Sequence, residues 1–139
     1  MKSAEEDSSN NHPRAAALAL SAAVIVLAMA SVFAATGPDR LAGDPTHGKI
    51  VYQGCQGCHS LDEDDIGPRH RAVVGRAAGT VPGYAYSPAL KSSRIVWDRD
   101  TLDRWLTNPQ ALVPGAKMFF MLPNAQDRAD VIAYLAEQH

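Results

Sequence analysis

The sequence predicts a small helical domain in which short helices are joined by long loops. Three observations carry this. Short helical runs extend from Asp44 or Thr46 to about Gln53, from Asp98 or Asp100 to Asn108, and from Asn124 or Asp127 to about Glu137, each opened by a capping side chain. No strand-rich run precedes or follows the two cysteines. Those cysteines sit in Cys55-Gln56-Gly57-Cys58-His59, which packs two thiols and an imidazole into five residues.

That pentapeptide organises the chain. C-x-x-C-H is the spacing by which a c-type haem is attached. In a tight turn, side chains at i and i+3 lie on one side of the backbone, so both sulfurs can reach the two vinyl groups of one porphyrin. His59 is then held under the iron as its proximal ligand. Other uses of the motif fit less well. A structural zinc site needs two more Cys or His ligands at similar spacing, but there is no third cysteine, and His47, His70 and His139 are scattered. A thioredoxin-like dithiol belongs in a βαβ context. A Cys55–Cys58 disulfide would close a strained small ring and leave His59 without a role.

The chain has 139 residues, one domain plus an appendage. Without the first ~36 residues roughly a hundred remain, enough for one small core but marginal without help. One haem, a large apolar object for short helices to pack around, supplies that help. The formal charge of −2 shows no basic excess and excludes a nucleic-acid partner.

Residues 1–36 read as a signal peptide or an uncleaved membrane anchor. Met1–Arg14 is polar and mixed in charge, whereas Ala15–Ala35 carries no charge at all. A run of this length is either a secretory core, with cleavage after Ala34, or a single spanning helix, which needs ~20 apolar residues. Either outcome carries the rest across a membrane. Haem is attached to C-x-x-C-H on the outer side of energy-transducing membranes, so both signals indicate the periplasmic side or its equivalent.

Residues 37–43 form a linker and 44–139 the haem domain. Pro45 is tolerated in the first turn of the first helix. Gly48 lies in its middle at a cost of ~1 kcal/mol relative to Ala, which signals another backbone passing close by. Residues 61–83 are loop, punctuated by Gly67-Pro68, Gly75, Gly79 and Pro82-Gly83. Pro88–Lys91 makes a helical turn or two. In the next helix Leu102, Trp105 and Leu106 share a face, and it stops at Asn108-Pro109. Ala111–Leu122 shows no helical pattern. Exposing its Val113, Met118, Phe119, Phe120, Met121 and Leu122 would cost ~1.5–3 kcal/mol per large side chain, so the loop is expected to lie against something apolar, the haem face opposite His59.

Several segments in order now resemble the class I mitochondrial-type and bacterial c-type cytochromes: Gly48 with Tyr52, the C-x-x-C-H motif, Gly67-Pro68, Gly75-Arg76, Pro82–Ser87, Trp97 with Thr101-Leu102, Asn108-Pro109, Pro114-Gly115-Ala116-Lys117-Met118 and Ala129–Leu135. The resemblance spans about three quarters of the chain. It implies the all-α class I cytochrome c fold, short helices and loops wrapped around one covalently attached haem c, with the terminal helices crossing at Gly48, Tyr52, Val131 and Tyr134. It also implies that Met118 is the sixth iron ligand, with Met121 a nearby rival. Pro68 offers its carbonyl to the ring N–H of His59, and Arg76, Tyr86 and Trp97 surround the propionates. His70 is expected to be a solvated loop residue. This sequence departs from the family at Ala116, where a threonine is frequent, at Trp105, where a tyrosine is expected near the Met ligand, and at Leu90, where an asparagine is expected.

With both axial positions filled by protein, the expected function is one-electron transfer, not an enzyme's chemistry. The partners would be respiratory redox proteins, a reductase, oxidase or dehydrogenase, with possible tethering to the membrane by residues 15–35. Beyond the leader only Lys49, Lys91 and Lys117 are available to a docking face, so partner reduction should depend weakly on salt. A haem peroxidase or gas-binding sensor is the alternative if Met118 is labile, and a fixed subunit of a respiratory complex is a third possibility.

Overall fold

The structure, a computed structural model, describes residues 41–139; the leader, the 15–35 run and most of the 37–43 linker lie outside the described residues. Among the described residues five helices make up the regular structure: α1 (Pro45–Tyr52), α2 (Pro88–Ser92), α3 (Arg99–Thr107), α4 (Pro109–Leu112) and α5 (Ala125–Ala136). A 3₁₀ turn, Gln53–Cys55, continues directly from α1. Among the described residues there is no strand, only one isolated antiparallel bridge between Ala77 and Val96.

Each start is written in local chemistry. Asp44 accepts from the Thr46 amide and Pro45 occupies the first turn of α1. Ser87 caps α2 in the same way ahead of Pro88. Asp98 and Thr101 form a reciprocal box at α3, each side chain accepting the other's backbone N–H at 2.8 Å. Asn124 takes the amides of Gln126 and Asp127 at α5. α3 ends at Asn108 before Pro109 as expected, but the chain then makes the extra turn α4, capped by Asn108 on the Ala111 amide at 3.0 Å. Four residues are too few for an apolar period to register.

α5 packs against both α1 and α3. The α1–α5 crossing explains Gly48: a Cβ there would come within 2.0 Å of the Asp130 carbonyl oxygen and 2.9 Å of Tyr134 Cβ. Tyr52 and Val131, each 1% exposed, lie in the core. The Tyr52 and Tyr134 rings meet at 5.3 Å. Leu102, Trp105 and Leu106 of α3 are all buried, as their spacing predicts.

Asp130 ties the start of the domain to α5. Its buried carboxylate accepts from the Asp44 amide at 2.7 Å, from Gln126 Nε2 at 2.8 Å, and lies 2.8 Å from His47 Nδ1. Gln126 Nε2 also reaches the Ala42 carbonyl at 2.8 Å. These bonds hold Asp130 ionised, with the Asp44 amide contributing most to lowering its pKa. His47 and Asp130 thereby form a clasp between α1 and α5, with Asp127 close to both.

Candidate functional site

The end of α1 delivers the motif. The amides of Cys58 and His59 both bond to the Cys55 carbonyl, at 3.1 and 3.0 Å, so the backbone curls and brings Cys55, Cys58 and His59 to the wall of one cavity of about 280 Å³. Burial raises the Cys55 thiol pKa, with Cys58 adding to the effect.

His59 is fixed from two directions. Its Nδ1 is 2.7 Å from the Pro68 carbonyl; a carbonyl can only accept, so Nδ1 carries the proton and Nε2 keeps a free lone pair in the neutral ring. Burial lowers its pKa and the bond to Pro68 opposes this. Gly67 lies against the same ring, where a Cβ would come within 2.1 Å of Cε1. Only glycine lets the backbone approach so closely.

His70 departs from the expectation of a solvated residue. Its ring stacks on His59, centroids 4.0 Å apart with planes at 22°, and its Nδ1 is 3.2 Å from the Tyr52 hydroxyl. Burial, followed by His59 and Arg76, pushes its pKa down to about 3, so it is neutral. Nothing in the local sequence signals this, because the contacts come from α1 and from the motif rather than from its own loop.

Met118 stands on the wall of the same cavity, half-buried. Trp105 Nε1–H donates to its sulfur at 3.2 Å. Met121 is 52% exposed and takes no part in the cavity wall. In the apolar loop Val113 and Ala116 are buried, and Phe119 and Phe120, 73% and 48% exposed, line the same cavity as Met118.

Arg76, Tyr86 and Trp97 reach the cavity from three separate parts of the chain. Two Arg76 N–H groups are spent on the carbonyls of Arg71 and Arg69, at 3.0 and 2.8 Å, which anchors a half-buried cation in a largely apolar wall. Trp97 is buried and its ring lies 5.2 Å from that of Trp105. Leu90, also buried, lines the same wall. All eight residues named from sequence, Cys55, Cys58, His59, Pro68, Arg76, Tyr86, Trp97 and Met118, thus surround one space. Two thiols, one imidazole with a free Nε2, and one thioether around a mostly apolar hollow are the donor set a covalently attached haem requires.

Gln110 is a residue that sequence reasoning missed. Its side chain holds the loop that carries Met118, bonding to the backbone of three of its residues. Glutamine is common on surfaces, so its identity alone gave no signal.

The family model described as Cytochrome c matches residues 45–138. The chain is 51% identical over 102 residues to cytochrome c2 of Rhodomicrobium vannielii, covering 70% of this chain and 82% of that protein. Among solved structures it resembles cytochrome cH from Methylobacterium extorquens, with a TM-score of 0.66 and 40% identity over 68% of this chain and 98% of the other. It also resembles ferricytochrome c2 from Rhodopseudomonas palustris, with a TM-score of 0.66 and 35% identity over 69% and 99%.

Proposed function

Since the chain belongs to the class I c-type cytochromes, which carry one covalently bound haem c and transfer electrons rather than act as enzymes, we propose that it is a His/Met-ligated one-electron carrier between respiratory-chain proteins. Cys55 and Cys58 would hold the haem through thioethers, and His59 and Met118 would fill the two axial positions. The observation that carries this reading is the meeting of His59 and Met118 at one cavity, with Pro68 fixing the His59 proton on Nδ1.

The bound haem supplies an iron that cycles between ferric and ferrous states. This chain's residues set how readily it does so. The carbonyl of Pro68 strengthens His59 as a donor and fixes its tautomer. The soft sulfur of Met118 favours ferrous iron, and the apolar wall disfavours the extra ferric charge; both raise the potential. Arg76 places a positive charge in the wall, suited to a propionate. Trp105 and the loop contacts around Met118 support a carrier over a peroxidase, because they restrain the ligand whose departure would open the iron.

The oxidised protein is expected to show the weak absorption band near the red end that reports iron–methionine coordination. Met118→Ala should abolish the band, and carbon monoxide should bind the ferrous variant rapidly but the wild type slowly. Rapid binding to wild type would overturn the carrier reading.

The uncharged run 15–35 and the side of the membrane on which such haems are attached support a periplasmic site of action, either free after cleavage or tethered. No helix among the described residues is long and apolar enough to cross a membrane, and the run itself lies outside them. Membrane fractionation with N-terminal sequencing distinguishes the two forms.

A further inference from the structure

We infer that Gln110 is a positioning residue for Met118, a latch whose side-chain amide sets how easily the loop lets the sulfur leave the iron. The inference rests on the reading of Met118 as the sixth ligand.

Pro114–Pro123 contains no helix or strand, so the loop has no ladder of its own to hold it. Its restraints are individual. Ala116 N–H reaches back to the Val113 carbonyl at 3.1 Å, the Leu122 amide bonds to the Leu106 carbonyl at 2.8 Å, and Lys117 Nζ bonds to the Ala85 carbonyl at 2.6 Å. Trp105 bonds the sulfur itself. Among the described residues only Gln110 engages the backbone on both sides of Lys117: its Nε2 donates to the carbonyls of Ala116 and Met118, each at 2.8 Å, while Oε1 accepts the Gly115 amide at 3.3 Å.

The arrangement fixes the amide orientation. Both hydrogens of a side-chain –NH₂ are used on carbonyl oxygens and the oxygen faces an N–H; the flipped amide would set three oxygens against one another. Gln110 stands on α4, the short turn pinned by the Asn108 cap and the buried Pro109. The latch is therefore mounted on a braced element. Each such bond contributes modestly to stability, but a severed set leaves part-buried carbonyls without a donor. The functional consequence is control over access of external ligands to the sixth position.

The test uses the matured, haem-loaded full chain with three variants. Gln110→Ala removes the latch, Gln110→Glu keeps its size but replaces the two donors with an acceptor, and Gln110→Lys returns a donor. Imidazole is titrated into each oxidised protein, and loss of the red-end band gives the apparent affinity. The three lost hydrogen bonds should raise that affinity roughly tenfold or more in Gln110→Ala, and at least as much in Gln110→Glu. Gln110→Lys should lie nearer to wild type. A role in filling space alone predicts that the near-isosteric Gln110→Glu matches wild type, and that outcome overturns the inference. If Gln110→Ala does not mature, the Glu and Lys variants decide the matter by the same criterion. A wild type lacking the band would instead refute the ligation reading, so the two failures are distinct.

Discussion

The indole Nε1–H of Trp105 donates a hydrogen bond to the sulfur of Met118 at 3.2 Å. Indole nitrogen is a donor only, so this contact always draws electron density away from the thioether and never returns it. On the proposed ligation, a sulfur so engaged would give less to ferric iron. Trp105→Phe should therefore lower the midpoint potential. A net hydrogen bond of about 0.5–1.5 kcal/mol corresponds to about 20–65 mV for one electron. Equilibrium redox titration measures this, and a raised potential in the variant would contradict it.

Gly48 tests the helix crossing. An added methyl collides with the Asp130 backbone at 2.0 Å, and backbone cannot swing aside as a flexible side chain would. Overpacking of this kind costs typically ~1–3 kcal/mol, which outweighs the ~1 kcal/mol of helix propensity that alanine recovers. Gly48→Ala should lower the urea midpoint of the haem-loaded protein, and an unchanged midpoint would contradict it.

The His47–Asp130 clasp makes stability depend on pH in a definite direction. The hydrogen bond to Asp130 is the main cause that raises the His47 pKa above its ordinary value of 6.5, with the nearby carboxylate charges assisting. A histidine raised in the folded state contributes stability that is complete below 6.5 and disappears as pH climbs through the higher folded value. Asp130, its pKa lowered, stays ionised across that interval. The stability gap between wild type and His47→Gln should thus be widest at about pH 5.5 and narrow by about pH 9. Paired urea denaturations at the two pH values check it, and a gap that widens with pH would refute it.

The rim of the cavity foretells how partners are met. Exposed Ile66, Phe119 and Phe120 border it, and of the three lysines beyond the leader Lys117 is bonded to a backbone carbonyl. Long-range attraction is the part of association that salt screens. Stopped-flow electron transfer with a purified respiratory partner should therefore change little between low and physiological ionic strength. A steep fall would show that charge governs the encounter.

Much of the site was legible in sequence because its chemistry is local or carried by ordered landmarks. Cys55, Cys58 and His59 lie within one turn, and the Pro-Gly-x-Lys-Met segment marks Met118 without reference to its surroundings. α3 could be read from its spacing because three large apolar residues on one face have no other way to be buried. α4 escaped notice because a single turn carries no period.

By itself the sequence marked the C-x-x-C-H motif, the order and capping of the main helices and the two residues proposed here as iron ligands, because each depends on residues within a few positions of one another. The tertiary structure alone decided what surrounds those ligands: His70 stacked on His59, Trp105 on the sulfur of Met118, Gln110 across its loop, and Asp130 beneath the start of α1. These contacts join segments distant in the chain. Only the closing of the loops, driven by burial of the core between α1, α3 and α5, brings them within hydrogen-bonding reach.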